Sequence, residues 1–359
     1  MSEKLKVLFA TSDDPSISGC GLYRVLQPSL WLSHLFKDQM ELMFTDILME
    51  EDMYKQDIFY FTRQAKPDVV NYVERMKKET NKFVVLDFDD NVNVIPPHIP
   101  LAQKFYNENK SHLRRMMQLS DLFVFTHTYL AEQIINTNGI RKPYILLPNA
   151  VNTDYLKNHP DEEDNCVRIG WFGSYTHKYD LAVIRGLLEE VHKRLNGQKK
   201  IKLFTIGPPK EFISEFLLIS NNPPFEWEHL YWKPTIKYLE TILDLKIHIG
   251  LAPLEDTYFN RCKSNLKMLE YVWCGAVPLA SDVHPYSETF TAYKQYTHCE
   301  NKFKDWVSKL ITLIMNSDLR KQIHNELKKE LSEKWSCKVV YQKFGEELLS
   351  FYYQWLKNQ

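Results

Sequence analysis

Between Lys263 and Glu270 the chain places two ammonium groups, a hydroxyl, an amide and a carboxylate, inside the stretch FNRCKSNLKMLEYVWCGAVPLAS from 259 to 281. The apolar spacing of Leu266, Leu269 and Trp273 predicts a helix that starts at Ser264 and stops at Gly275, followed by a short buried strand over 277–280. Glu270 lies seven residues after Lys263 and three after Lys267, so two helical turns bring all three toward one side. Amides at a helix N-terminus attract phosphate, and lysines beside them add charge. A carboxylate on the same side can accept hydrogen bonds from a diol. Lys263, Ser264, Asn265, Lys267 and Glu270 therefore suit a nucleoside diphosphate and its ribose. The plainer alternative is a Ser-capped amphipathic helix whose lysines are solvated.

Such a cassette needs a sheet and loops to hold it. At 359 residues the chain is long enough for two domains with substantial cores. Lys plus Arg number 45 against 46 Asp plus Glu, and 44% of residues are hydrophobic, which excludes a basic nucleic-acid coat and a disordered chain. Cys20, Cys166, Cys262, Cys274, Cys299 and Cys337 lack metal-ligand spacing, which argues against a zinc site or a disulfide framework and for a reducing compartment. The apolar run in MSEKLKVLFA turns into Thr-Ser-Asp-Asp too early for a signal peptide, and no stretch approaches a membrane span. The expected location is the cytoplasm.

Residues 6–10 read as a buried strand, TSDDPSISGCG as the loop after it and 22–35 as a helix. Gly19 and Gly21 allow close backbone approach to a ligand before a helix N-terminus, or simply a tight turn. Residues 57–60 and 83–87 read as further strands, the second running into DFDDNVNVIPPHIP. Open α/β sheets bind ligands beyond the C-terminal ends of their strands, so Asp87, Asp89 and Asp90 are candidate site residues. A rival reading takes Asp87-Phe88-Asp89 as a metal-binding Asp-x-Asp motif.

Short strands over 123–126 and 144–147 follow, the first leading to His127, which is either a polar site contact or a capping histidine. The polar, aperiodic stretch with HPDEED reads as a linker. VRIGWFGSYTHKYDL then reads as a strand ending in Gly170 and Gly173 before a helix near Tyr179, with strands at 202–206 and 247–252 beyond it. Tyr231 and Trp232 lie just ahead of a helix that ends near Leu243. From Val339 to Leu356 the chain is helical in period, with Tyr341, Phe344, Leu348, Phe351, Tyr352 and Trp355 along one face.

The cassette at 259–281, the GWFGSYTHK loop and the DFDDN loop together resemble the retaining glycosyltransferases of the two-domain GT-B fold, close to glycosyltransferase family 4. The resemblance implies an α/β chain with two Rossmann-like domains, parallel sheets facing an interdomain cleft and a C-terminal helix crossing back to the first domain. It implies an acceptor-side domain over 1–152, a linker over 153–165, a nucleotide-sugar-binding domain over 166–335 and the returning helix over 336–359. Glu270 and Gly275-Ala276-Val277-Pro278 hold the positions of the family's ribose-binding Glu and the turn after it. Lys178 holds the position of a diphosphate-binding Lys in the loop that carries Gly173, and the loop near Tyr231 and Trp232 passes the nucleobase. Two positions depart from the pattern. Ser174 replaces a common Arg, which makes Lys263 the candidate for the missing cation, and Cys262 replaces an acidic residue that contacts the sugar.

These implications amount to a retaining, metal-independent transferase that uses a UDP- or GDP-sugar and no further cofactor. Lys178, Lys263, Lys267 and the amides after Gly19 and Ser264 would stabilise the leaving diphosphate, which itself takes the acceptor proton, with Asp89, Asp90 or His127 assisting the acceptor. The class favours a saccharide or lipid-linked saccharide of a cell envelope as acceptor. A second reading is a hydroxymethylated base in DNA, because phage DNA glucosyltransferases share the architecture and one carries a loop comparable to Gly19-Cys20-Gly21. Strong salt dependence of activity on duplex DNA would mark it. A third reading, prompted by Cys262 and Ser174, is a catalytically inactive nucleotide-sugar-binding protein.

Overall fold

Two sheets of six parallel strands, each in its own unit, organise the computed structural model, which describes residues 3–162 and 165–359. Met1 and Ser2, in the expected first domain, and Glu163 and Asp164, in the expected linker, lie outside the described residues.

The first unit comprises Met1–Ala150, Cys262–Ser264 and Cys337–Gln359. Its strands are β1 (Leu5–Ala10), β2 (Met40–Thr45), β3 (Ile58–Thr62), β4 (Phe83–Phe88), β5 (Leu122–Phe125) and β6 (Tyr144–Leu146), in the order β2-β1-β3-β4-β5-β6. Every residue of β3, β4 and β5 is buried, as expected of parallel strands covered on both faces. β2 is an edge strand of sequence MELMFT in which only Met40 is buried, which explains why no apolar run announces it. The Cys337–Lys357 helix contributes Tyr341, Phe344, Leu348 and Tyr352 to the same core cluster as Val7, Phe9, Tyr60 and Val85.

The helix after β1 begins at Gly19, passes through a π-helical turn over Leu22–Leu26 and continues as Gln27–Leu35. π turns add one residue to the helical ring and often mark functional positions. Here the turn holds Arg24, which is fully buried. Its guanidinium grips the Asp87 carboxylate with bonds of 2.6 and 2.9 Å and also donates to the Leu147 carbonyl and to Asn149 Oδ1. Deleting one partner of a buried ion pair strands the other charge in the core, at a cost of about 3–5 kcal/mol. Arg24→Met should therefore lower the unfolding free energy by about that amount in a denaturant titration. A variant of wild-type stability would mean that Asp87 is neutral in the fold.

The second unit comprises Val151–Arg261 and Asn265–Ser336. Its strands are β7 (Cys166–Phe172), β8 (Lys200–Gly207), β9 (Glu226–Tyr231), β10 (Ile249–Ala252), β11 (Val277–Ser281) and β12 (His298–Cys299), in the order β12-β11-β10-β7-β8-β9. The Leu266–Trp273 helix lies against β10 through Tyr271, whose ring carbons stand 2.2 Å from where a Cβ on Gly250 would be. The Tyr271 hydroxyl donates to the Leu251 carbonyl at 2.9 Å. Gly275 ends the turn at φ +96, and a Cβ there would stand 2.5 Å from the Asn158 carbonyl oxygen. A side chain at Gly275 would be both strained and obstructed, which fixes the step from helix to β11.

Candidate active site

In the second unit the chemistry gathers where β7 and β8 end. The Gly173 N–H donates to the Ile206 carbonyl at 3.0 Å, so it is committed to the sheet. Gly207, at φ +145, passes so close that a Cβ on it would lie 1.9 Å from the Gly173 carbonyl oxygen. A Cβ on Gly173 itself would stand 2.8 Å from the Trp171 ring, 3.1 Å from Lys267 Nζ and 3.2 Å from His177 Cδ2. Gly173 thus makes room for these side chains. Ser174 is committed to the turn, its hydroxyl 2.7 Å from that of Thr176.

The two lysines expected here behave differently. Lys267 projects from the first turn of its helix to Gly173, with Nζ 5.7 Å from the Trp171 ring centroid. Lys178 lays its ammonium over Phe216 and Tyr179, at 5.0 and 5.5 Å from their ring centroids. Lys267 is therefore the cation at the glycine loop.

One turn further along the same helix, Glu270 is buried and its Oε2 accepts the Tyr238 hydroxyl at 2.8 Å. Tyr238 stacks on Trp232, with ring centroids 5.8 Å apart and planes 16° from parallel. Trp232 is 46% exposed and Tyr231 66% exposed. A carboxylate, a phenol and an indole thus run from the buried helix out to the surface. Asn265 sits just before the helix and donates to Thr289 Oγ1 at 3.2 Å.

The expected helix start at Ser264 is corrected. The helix begins at Leu266, so Lys263 lies outside the helix that carries Lys267 and Glu270 and groups with the first unit. The reason is local bonding: Ser264 Oγ accepts from Asn149 Nδ2 at 2.9 Å and does not cap the helix. His127 caps its own helix by accepting from the Leu130 N–H through Nδ1 at 3.2 Å. That leaves the ring proton on Nε2, which faces the Cys262 and Lys263 carbonyls at 3.2 and 3.0 Å. His127 therefore has a positioning role toward this segment. Cys262, where the resemblance expects an acid, is buried, and burial pushes its thiol up to about 11.

The acidic loop after β4 divides between two guanidinium groups. Asp87 is taken by Arg24, while Arg63, at a left-handed φ of +44, meets Asp13 at 2.7 Å, Asp89 at 3.1 Å and Asp90 at 3.8 Å. The two carboxylates of the Asp-x-Asp motif are thus each paired to a different arginine, Asp87 to Arg24 and Asp89 to Arg63. Burial raises the Asp90 carboxyl, with Lys263 and Arg63 only partly offsetting it. Asp89 lies below the usual range because Arg63 and Arg24 outweigh its burial. A Cβ on Gly21 would stand 2.5 Å from the Asp13 carbonyl oxygen, so that glycine serves its own loop, whereas the space beside Gly19 is open within 4 Å.

No family model matches the chain, and no curated protein matches it. Solved structures do. The Anabaena Alr3699/HepE structure in complex with UDP matches at TM-score 0.63 and 11% identity over 96% of this chain and 100% of that one. Sucrose-phosphate synthase from Thermosynechococcus elongatus matches at 0.66 and 10% identity, over 98% and 100%. The apo form of the lipopolysaccharide outer core galactosyltransferase WaaB matches at 0.57 and 12% identity, over 96% and 99%. The fold is GT-B.

On this GT-B frame several site residues have no counterpart in the sequence reading. Arg24 hides in the apolar run LYRVL, and Tyr238 could be paired with Glu270 only through tertiary contact. Arg63 was legible in principle, since a charge at the end of a buried parallel strand is the signal that exposed Asp87. Among the described residues no group of three or more His, Cys, Asp or Glu is placed to hold a metal ion, and no helix is long and apolar enough to cross a membrane.

Proposed function

We propose that this chain is a retaining, metal-independent glycosyltransferase that moves a sugar from a UDP-sugar to a saccharide hydroxyl. The observation that carries the reading is the placement, on one short helix, of Lys267 against the Gly173 loop and of Glu270 on Tyr238 beside exposed aromatics. A dianionic diphosphate fits the first position, a ribose diol the second, and a nucleobase the Tyr231 and Trp232 surface. HepE is solved with UDP and with UDP-glucose, which supports a uridine donor, and WaaB is named as a lipopolysaccharide galactosyltransferase, which supports a saccharide acceptor. Six unpaired cysteines are consistent with a cytoplasmic setting.

In this reading the bond from the sugar anomeric carbon to the diphosphate oxygen breaks with its electrons on that oxygen. Lys267 opposes the charge as it develops, which is the interaction that counts for rate. The acceptor oxygen forms the new bond on the same face and passes its proton to the leaving phosphate, so no side chain need be a nucleophile. On the acceptor side Asp90 is the better candidate of the acidic pair, because Arg63 binds it more loosely than Asp89.

Glu270→Ala tests the donor assignment. Hydrogen bonds to a charged group are worth about 1.5–3 kcal/mol, so the donor KM should rise by about 10- to 100-fold in a folded variant. An unchanged KM would overturn it.

A further inference from the structure

Asp180, in the short helix Lys178–Ala182, is buried and accepts hydrogen bonds from His177 Nδ1 at 2.7 Å, the Glu255 N–H at 2.8 Å and Asn260 Nδ2 at 2.8 Å, among others. An ionised carboxylate only accepts, so Nδ1 of His177 carries a hydrogen and the ring is held in one orientation. The ring edge away from Asp180, which bears Cδ2 and Nε2, is turned to Gly173, and Cδ2 lies 3.2 Å from the position of that glycine's absent Cβ. Lys267 Nζ lies 3.1 Å from the same point. An oriented imidazole and an ammonium therefore share the space over one glycine, next to the uncharged Ser174.

We propose that His177, oriented by Asp180, is the second cationic ligand of the leaving diphosphate, donating from Nε2–H to a phosphate oxygen beside Lys267. The inference rests on the glycosyltransferase reading above. His177 keeps its proton throughout: the breaking bond leaves its electron pair on the diphosphate oxygen, and the Nε2–H hydrogen bond strengthens as that charge grows. Among the described residues the charged groups near the ring include Asp180 and, from the Leu266–Trp273 helix, Lys267.

A pair of substitutions separates this role from a merely structural one. His177→Asn retains an amide donor where Nδ1 faces Asp180 and deletes Nε2, whereas His177→Gln places an amide nearer the Nε2 position. The full chain is tested for nucleotide release from UDP-glucose, for UDP and uridine binding by calorimetry, and for thermal stability. The expected result is a loss of kcat of about 30- to 100-fold in His177→Asn with little change in Tm, a smaller loss in His177→Gln, and weaker binding of UDP with uridine binding unchanged. Wild-type kcat and wild-type UDP binding in His177→Asn would overturn the proposal, as would a His177→Gln variant that is worse than His177→Asn and loses Tm in parallel. Release of nucleotide by the wild type decides the parent reading separately, and the UDP to uridine comparison still tests His177 if binding occurs without release.

Discussion

Replacing Lys267 with alanine should lower kcat by about 10²- to 10³-fold, the range found when one preorganised donor to a developing oxyanion is removed. Two observations make the expectation specific to this lysine. Its ammonium lies 3.1 Å from the vacant Cβ position of Gly173, in a loop closed by the Gly207 approach, so it is directed at the loop and not into bulk water. Lys178 rests on the Phe216 and Tyr179 rings, and cation–π contacts at partly exposed sites are worth about 0.5–1 kcal/mol. Lys178→Ala should therefore cost only a few-fold in kcat, whereas the family pattern alone assigns it the diphosphate. Steady-state kinetics on both variants, with Tm as a control on folding, checks the ordering. Equal losses, or a larger one at Lys178, would return the diphosphate to Lys178.

The second large effect is a loss of stability in acid. His159, His248 and His324 cluster in the second unit, with the His159 ring 5.6 Å from His248 and 5.8 Å from His324. The bonding of His159 and His248 requires neutral rings. His159 donates from Nδ1 to the Gly275 carbonyl and accepts from Arg320 at Nε2, and His248 accepts the Arg168 N–H at Nδ1 while facing the Asp161 carbonyl with Nε2. His324 points Nε2 at the Val272 carbonyl, and its buried Nδ1 has no partner among the described residues. A second proton would set donor against donor at His159 and His248. Burial is the main cause that pushes His159 down to about 3, and His248 and His324 down to about 4, with the buried Arg320 adding to the first two.

All three folded pKa values lie below the unfolded value of about 6.5, so the unfolded chain takes up protons that the fold refuses. Stability is complete above about pH 6.5 and falls as the pH drops toward 4. Each histidine contributes about 1.4 kcal/mol per pH unit within that window, so the three contribute about 4 kcal/mol per unit. Denaturant titrations at pH 7, 6 and 5 should show the midpoint falling steeply, and His248→Gln should flatten the slope by about one third. A slope that His248→Gln leaves unchanged would place the acid-labile groups elsewhere.

The parallel sheets were legible because strands buried on both faces read as continuous apolar runs, as FVVLDF and IFYFT do. β2, β9 and β12 were not, the first two because edge strands with little buried surface lack such a run and the third because two residues carry no period. The Gly275 turn and the Lys267 to Glu270 spacing are local, so the sequence specifies them. The bonds of Ser264 to Asn149 and of His127 to the Cys262 and Lys263 carbonyls join residues more than a hundred positions apart, and no local pattern encodes them. His177 and Asp180 lie three apart at a helix start, a local spacing that pairs an imidazole with a carboxylate.

Whether the second unit holds a nucleotide sugar is decided by a thermal-shift and hydrolysis screen against UDP-, GDP-, ADP-, CMP- and dTDP-sugars, with and without EDTA. The expected result is stabilisation by UDP-sugars and slow release of nucleotide that EDTA does not suppress. No stabilisation by any nucleotide sugar would contradict the glycosyltransferase reading, and release abolished by EDTA would contradict its metal-independent form.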